Sequence, residues 1–119
     1  MKVQVRRVDN VAIIDCSGDV DLNSSTHLRE PLLGEIQSGI ASVLVNMNEV
    51  SYIDSSGIAT LVEALQLSRQ AKVRLGLFGL RTNARMVLEL ARLHKVFNIF
   101  DNEREALEKI SSTQPFGGL

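Results

Sequence analysis

The stretch VLVNMNEVSYIDSSGIATLVEAL, residues 43–65, changes its period midway. Val43, Leu44 and Val45 form a short continuous apolar run, the pattern of a strand buried on both faces at the centre of a sheet. Ile58, Leu61, Val62 and Leu65 then recur at i, i+3, i+4 and i+7, the spacing of an amphipathic helix. Residues 46–52 read as the loop between them. Strand, loop and helix in this order make half of a β-α-β unit, so the stretch sets the expectation of an α/β layer with mostly parallel central strands.

The flanks agree. Upstream, Val3 and Val5 alternate with Lys2, Gln4 and Arg6, a half-exposed strand. Asp9-Asn10 marks a turn, and residues 11–16 give a second, more apolar strand paired with the first as a hairpin. Ser17-Gly18-Asp19 ends it. From Asn23 the pattern is helical: Asn23, Ser24 and Ser25 are candidate N-caps, and Leu28, Leu32, Leu33 and Ile36 follow at helical spacing. Pro31 is the discordant residue, since proline in a helix interior removes a hydrogen bond. Ser38-Gly39 closes the segment. Downstream, Val73, Leu75 and Leu77 alternate as a strand and Gly79 ends it. Met86, Val87, Leu90 and Leu93 mark a third helix, residues 96–100 a short strand, and residues 103–110 a last helix capped by Asp101 or Asn102. The reading is a single domain over residues 1–112, with about five strands in a mixed, mostly parallel sheet flanked by about four helices. Residues 113–119, with Pro115 and Gly117-Gly118, read as a flexible tail.

Composition narrows the functions open to such a domain. The chain has 119 residues, 45% of them hydrophobic and 23% charged, which is ordinary for a folded globular domain. Its formal net charge is −1. No basic excess is available to neutralise phosphates, so neither nucleic acid nor an anionic membrane surface is an expected partner. No apolar run approaches the ~18 residues of a membrane span, and the N-terminus has no signal-peptide core. The single cysteine, Cys16, lies in an apolar stretch and reads as a buried thiol. The expected location is the cytoplasm.

The polar residues that carry chemistry lie at Ile53-Asp54-Ser55-Ser56-Gly57-Ile58, where the loop enters the helix. First-turn N–H groups lack intrahelical partners and the helix dipole is positive there, so this position tolerates added negative charge. A phosphate on Ser55 would add about −1.5 to −2 charge at pH 7 without unfolding the domain. From helix chemistry alone, an Asp or Ser here is usually a plain cap.

Four segments resemble a STAS domain, and within that group an anti-sigma factor antagonist. They are Gly18-Asp19-Val20-Asp21 after the second strand, Val43-Leu44-Val45-Asn46-Met47 as the central strand, Val50-Ser51-Tyr52-Ile53-Asp54-Ser55-Ser56-Gly57-Ile58 as the phosphorylation loop and helix start, and residues 81–97 as the third helix and its following turn. The likeness extends from the first strand to Ile110. It implies that Ser55, the first hydroxyl residue after the aspartate, is the phosphoacceptor, with Ser56 the weaker candidate. It places Asp21 and Asp54 as acidic neighbours that orient the hydroxyl or assist kinase recognition. It also implies a partner-binding face made of Asp21, Asn23, Ser24, Asp54, Ser55, Ser56, Gly57 and Ile58. Ala59 departs from the glycine often found there in the family, a small-for-small exchange.

The implied mechanism is partner switching. The unphosphorylated chain binds an anti-sigma factor that is itself a serine kinase, phosphorylation at Ser55 inactivates it, and a PP2C-like phosphatase restores it. The chain would carry no catalytic residue, cofactor or metal of its own. A scaffold or a transporter-associated subunit of the same fold is the alternative, with Ser55 then a cap that is never phosphorylated. Enzymatic readings fit poorly. Ser55 lacks a Gly-x-Ser-x-Gly elbow, His27 and His94 are the only imidazoles, Cys16 and the two histidines have no metal-ligand spacing, and no glycine-rich phosphate loop is present.

Overall fold

The computed structural model describes residues 1–112. The tail expected over 113–119 lies outside the described residues. Strands β1 (Lys2–Val8), β2 (Val11–Ser17), β3 (Ser42–Glu49), β4 (Arg74–Phe78) and β5 (Asn98–Phe100) form one five-stranded sheet in the order β1-β2-β3-β4-β5. β1 pairs antiparallel with β2 through the turn at Asp9-Asn10, and β2, β3, β4 and β5 run parallel. The connecting helices are α1 (Ser25–Ile36), α2 (Ser55–Ala71) and α3 (Thr82–Leu90), and α4 (Glu103–Lys109) follows the last strand. Because the strand order advances in one direction, right-handed crossovers bring α1, α2 and α3 to the same face of the sheet.

That face holds the larger core. Ala12, Ile14 and Cys16 of β2, Val43, Val45 and Met47 of β3, and Leu75 and Leu77 of β4 pack under Leu28, Leu32 and Ile36 of α1 and Leu61, Ala64 and Leu65 of α2. On the opposite face, Ile13, Leu44, Phe78 and Phe100 meet Ala106 of α4 and Ile110. Gly76 permits that second core: a Cβ there would stand 2.9 Å from the Phe100 ring and 3.0 Å from Leu44. Cys16 is buried as expected, and its thiol is pushed up to about 12, chiefly by burial and then by the nearby Asp15.

Several expectations shift. β3 does not stop at Val45 but continues to Glu49, so most of the expected 46–52 loop is strand. Met47 keeps the inward alternation of Val43 and Val45. Asn46 points to the other face, where its Nδ2 donates to Asp15 Oδ1 at 2.8 Å. Polar residues fit a strand there because α4 covers only part of that face. The buried stripe of α2 is Gly57, Thr60, Leu61, Ala64, Leu65 and Ser68, with Ile58 and Val62 half-buried at its margin. In α3 the buried pair is Ala84 and Leu88, while Met86 and Leu90 are 51% and 78% exposed. Leu93 falls beyond α3 in a 3-10 turn, after Arg92 has taken a left-handed φ of 59°. Pro31 lies inside α1, past its first turn. Asn102 is the cap of α4, its Oδ1 accepting from Glu105 N at 2.9 Å.

Candidate functional site: the exposed start of helix α2

The start of α2 is built by three segments that meet beyond the C-terminal ends of the parallel strands. After β3 ends, the chain returns to the sheet for one residue, and Ile53 forms an isolated parallel bridge with Val20. Val20 N donates to Tyr52 O at 2.9 Å, Asp54 N donates to Val20 O at 3.1 Å, and Gly18 N donates to Glu49 O at 3.0 Å. Ser51 Oγ lies 3.3 Å from Asp19 Oδ1. These bonds hold the loop of residues 18–24 alongside the loop that leads into α2. The third segment is α3, whose Asn83 Oδ1 accepts from Ile53 N at 2.9 Å.

Asp54 is the N-cap of α2. Its backbone is extended and its Oδ1 accepts from Ser56 N at 2.9 Å and Gly57 N at 3.3 Å. Ser55 is the first helical residue, and it is exposed. Among the described residues no hydrogen bond engages its hydroxyl. Ser56 is half-buried. The first turn of α2 contains no acidic residue, so the positive end of its dipole is offset by the Asp54 cap alone among side chains of that turn.

The other residues expected at the site divide into two groups. Asn23 is exposed, and Asp21, Asp54, Ser56 and Ile58 are partly so. Ser24 and Gly57 are buried. The Ser24 hydroxyl donates to Asp19 O at 2.7 Å and accepts from Asp21 N at 3.0 Å, so it closes its own loop and does not cap α1 by its side chain. A Cβ on Gly57 would stand 2.5 Å from Ile53 Cγ1 and 2.8 Å from Val20 Cγ1. Its smallness therefore admits the Val20–Ile53 bridge beneath the helix, not an incoming partner. The two carboxylates are committed as well: Asp21 Oδ1 accepts from Asn23 N and Ser24 N, while Asp54 caps α2. Neither orients the Ser55 hydroxyl.

Val20, Asp19 and Asn83 join these loops, roles the sequence does not show because they depend on which segments meet in space. In these loops the apolar side chains of Leu22 (77%) and Tyr52 (45%) are exposed. Together with Met86, which lines an open groove with Ser51, Arg81 and Asn83, they give this end of the molecule an apolar surface around a polar centre. Among the described residues no group of three or more His, Cys, Asp or Glu side chains is placed to hold a metal ion, and no helix is long and apolar enough to cross a membrane.

The chain is a small α/β domain with an exposed serine at the start of a helix beyond the C-terminal strand ends. The STAS domain family model matches residues 2–106, and the chain belongs to that family. It is 28% identical over 106 residues to an anti-sigma-B factor antagonist of Listeria monocytogenes, covering 88% of this chain and 91% of that one. Two solved structures share the fold. An anti-sigma factor antagonist from Mycobacterium paratuberculosis superposes with a TM-score of 0.85 at 17% identity, over 92% of this chain and 93% of that one. The Bacillus cell fate determinant SpoIIAA in its phosphorylated form gives 0.74 at 20% identity, over 92% and 99%.

Proposed function

We propose that this chain is an anti-sigma factor antagonist, active as a binding partner when Ser55 is free and inactivated when Ser55 is phosphorylated. The observation that carries the reading is the state of Ser55, an exposed residue at the start of α2 whose hydroxyl no neighbour among the described residues engages. A structural cap would spend its oxygen on the first-turn N–H groups, and Asp54 already does that. The sequence likeness to an anti-sigma-B factor antagonist and the fold shared with phosphorylated SpoIIAA support the same reading.

The partner is an anti-sigma factor with serine kinase activity. The Ser55 oxygen attacks the γ-phosphorus of ATP bound to that partner; the new O–P bond replaces the bond to the ADP oxygen, and the hydroxyl proton passes to a base on the kinase. A PP2C-like phosphatase returns the hydroxyl with water as the attacking group, releasing inorganic phosphate. Nucleotide and metal belong to those proteins, and the exchange takes place in the cytoplasm. The docking face comprises Ser55, Ser56, Ile58, Asp54 and the rim at Asp21 and Asn23, with Ser24 and Gly57 shaping it from below. Phosphate at its centre imposes desolvation and repulsion on any complex formed there.

The test is intact mass spectrometry after incubation with ATP and a kinase-type anti-sigma factor from the same organism. One added phosphate on the native chain and none on Ser55→Ala is the expected result. Phosphate on both moves the acceptor, with Ser56 the next site to map. A stable complex with no phosphate on either rejects the switch and leaves a scaffold.

A further inference from the structure

The N–H of Ile53 has no strand to bond. On one side of Ile53 the backbone is paired with Val20, through Tyr52 O and Asp54 N. Its own N–H points the other way, where a neighbouring strand would continue the sheet, but β4 has already ended at Phe78. Ile53 is 1% exposed, so a bond to bulk water is not a ready substitute, and a buried backbone donor needs a partner. The partner is a side chain: Asn83 Oδ1 stands 2.9 Å away, in the place of a strand carbonyl.

Asn83 is not serving its own helix. It is the second residue of α3, whose N-cap position is held by Arg81 with no side-chain cap bond. An asparagine near a helix start usually turns its oxygen onto a local N–H; this one reaches across 30 positions of sequence to the loop instead. One residue separates Ile53 from Ser55, the Asp54 cap that starts α2.

We infer that Asn83 is a positioning residue for the phosphoacceptor: by standing in for a missing strand it fixes the loop that presents Ser55, and it ties that presentation to the seating of α3. The inference rests on the reading of Ser55 as the phosphoacceptor. Its cause is geometric. A hydroxyl must be held in line with the transferring phosphorus, and small misplacements from supporting residues cost rate at the chemical step more than they cost binding.

Three variants of the full chain separate the possibilities. Asn83→Ala removes the acceptor. Asn83→Asp keeps an oxygen at the same reach. Asn98→Ala removes a different side-chain-to-backbone bond, from Nδ2 to Leu75 O at 3.2 Å, and serves as a control for general loss of stability. Each is read by amide exchange at Ile53 and by kcat and KM for Ser55 phosphorylation by the kinase-type anti-sigma factor. Asn83→Ala is expected to speed exchange at Ile53 and lower kcat about tenfold or more, with the circular dichroism spectrum retained. Asn83→Asp is expected to restore both, and Asn98→Ala to change neither. Wild-type kcat in Asn83→Ala, or an equal loss in Asn98→Ala, overturns the positioning role. Unchanged exchange at Ile53 in Asn83→Ala overturns the clamp itself. Absence of phosphate at Ser55 on the wild-type chain is a separate result, which removes the phosphoacceptor reading and this role with it.

Discussion

At Gly57 two tendencies oppose each other. Alanine is the better helix former by about 1 kcal/mol, and Gly57 is the third residue of a long helix. Against this, an added methyl would meet Ile53 Cγ1 at 2.5 Å, Val20 Cγ1 at 2.8 Å and Ile53 Cδ1 at 2.9 Å. Those atoms branch close to backbones that are bonded to each other, so they give way only if the bridge opens. Gly57→Ala is therefore expected to lose about 1–3 kcal/mol net, the range for overpacking a filled interior, read as a lower urea midpoint at unchanged slope. A rise in stability would mean that helix propensity outweighs the contact and that the bridge is soft. The sequence shows that a small residue belongs here; it cannot show whether the space is kept for a partner or for the molecule's own side chains. The same holds for Ser24, legible as a cap candidate but spending its hydroxyl on Asp19 and Asp21.

Among the elements, α1 carries a visible defect. Pro31 sits within the helix, where it has no N–H to give to the carbonyl of His27 and its ring crowds that carbonyl. Pro31→Ala restores the bond, and even after the added freedom of the unfolded chain is subtracted it should stabilise by about 1 kcal/mol or more, raising the thermal midpoint. A fall would show that the proline ring, half-buried beside the α1 core residues, contributes packing that alanine cannot replace. Apolar period, short continuous apolar runs and cap residues together located the helices and strands of the fold, because each must bury one stripe or face. They misplaced part of the stripe of α3: Val87 and Leu93 do pack against the core, but Met86 and Leu90 are exposed, and the fully buried residues are Ala84, which counts for less by size, and Leu88, which was passed by. They ended β3 early, since Asn46 looks like a loop residue until the partly uncovered face behind it, with Asp15 in reach, is known. Asn83 carried no signal of any kind in the sequence, because its function is a bond to a residue 30 positions away.

Over the whole molecule, the first strand and the last helix are joined by one charge network. Arg6 bonds Asp15 on the neighbouring strand, and its Nη2 lies 2.6 Å from Glu103 Oε1 at the start of α4. The bond from Arg6, aided by Asn46, holds the Asp15 carboxyl below its ordinary 3.8 despite partial burial. An acid lowered in the folded state stabilises above its unfolded pKa and loses that contribution as pH falls through the folded value. Stability should therefore decline below about pH 4, and Asp15→Asn should flatten part of that decline; an unaltered acid limb would mean that other carboxylates set it. At the start of α2, added negative charge also favours the fold. Ser55 opens α2 with no acidic residue in its first turn, so a carboxylate there faces the positive end of the dipole, a gain of roughly 0.3–1 kcal/mol. Ser55→Asp should leave the isolated chain as stable as the wild type or slightly more so, and weaken its complex with the kinase-type partner at least about tenfold, or 1.4 kcal/mol. Thermal unfolding and titration calorimetry on the same preparation separate the two effects. A destabilised fold would place Ser55 in a packed environment, and an undiminished affinity would place the docking face elsewhere. Stability and affinity moving apart is what a switch requires, because charge that left the interface but also loosened the fold would consign the chain to degradation instead of holding it in reserve.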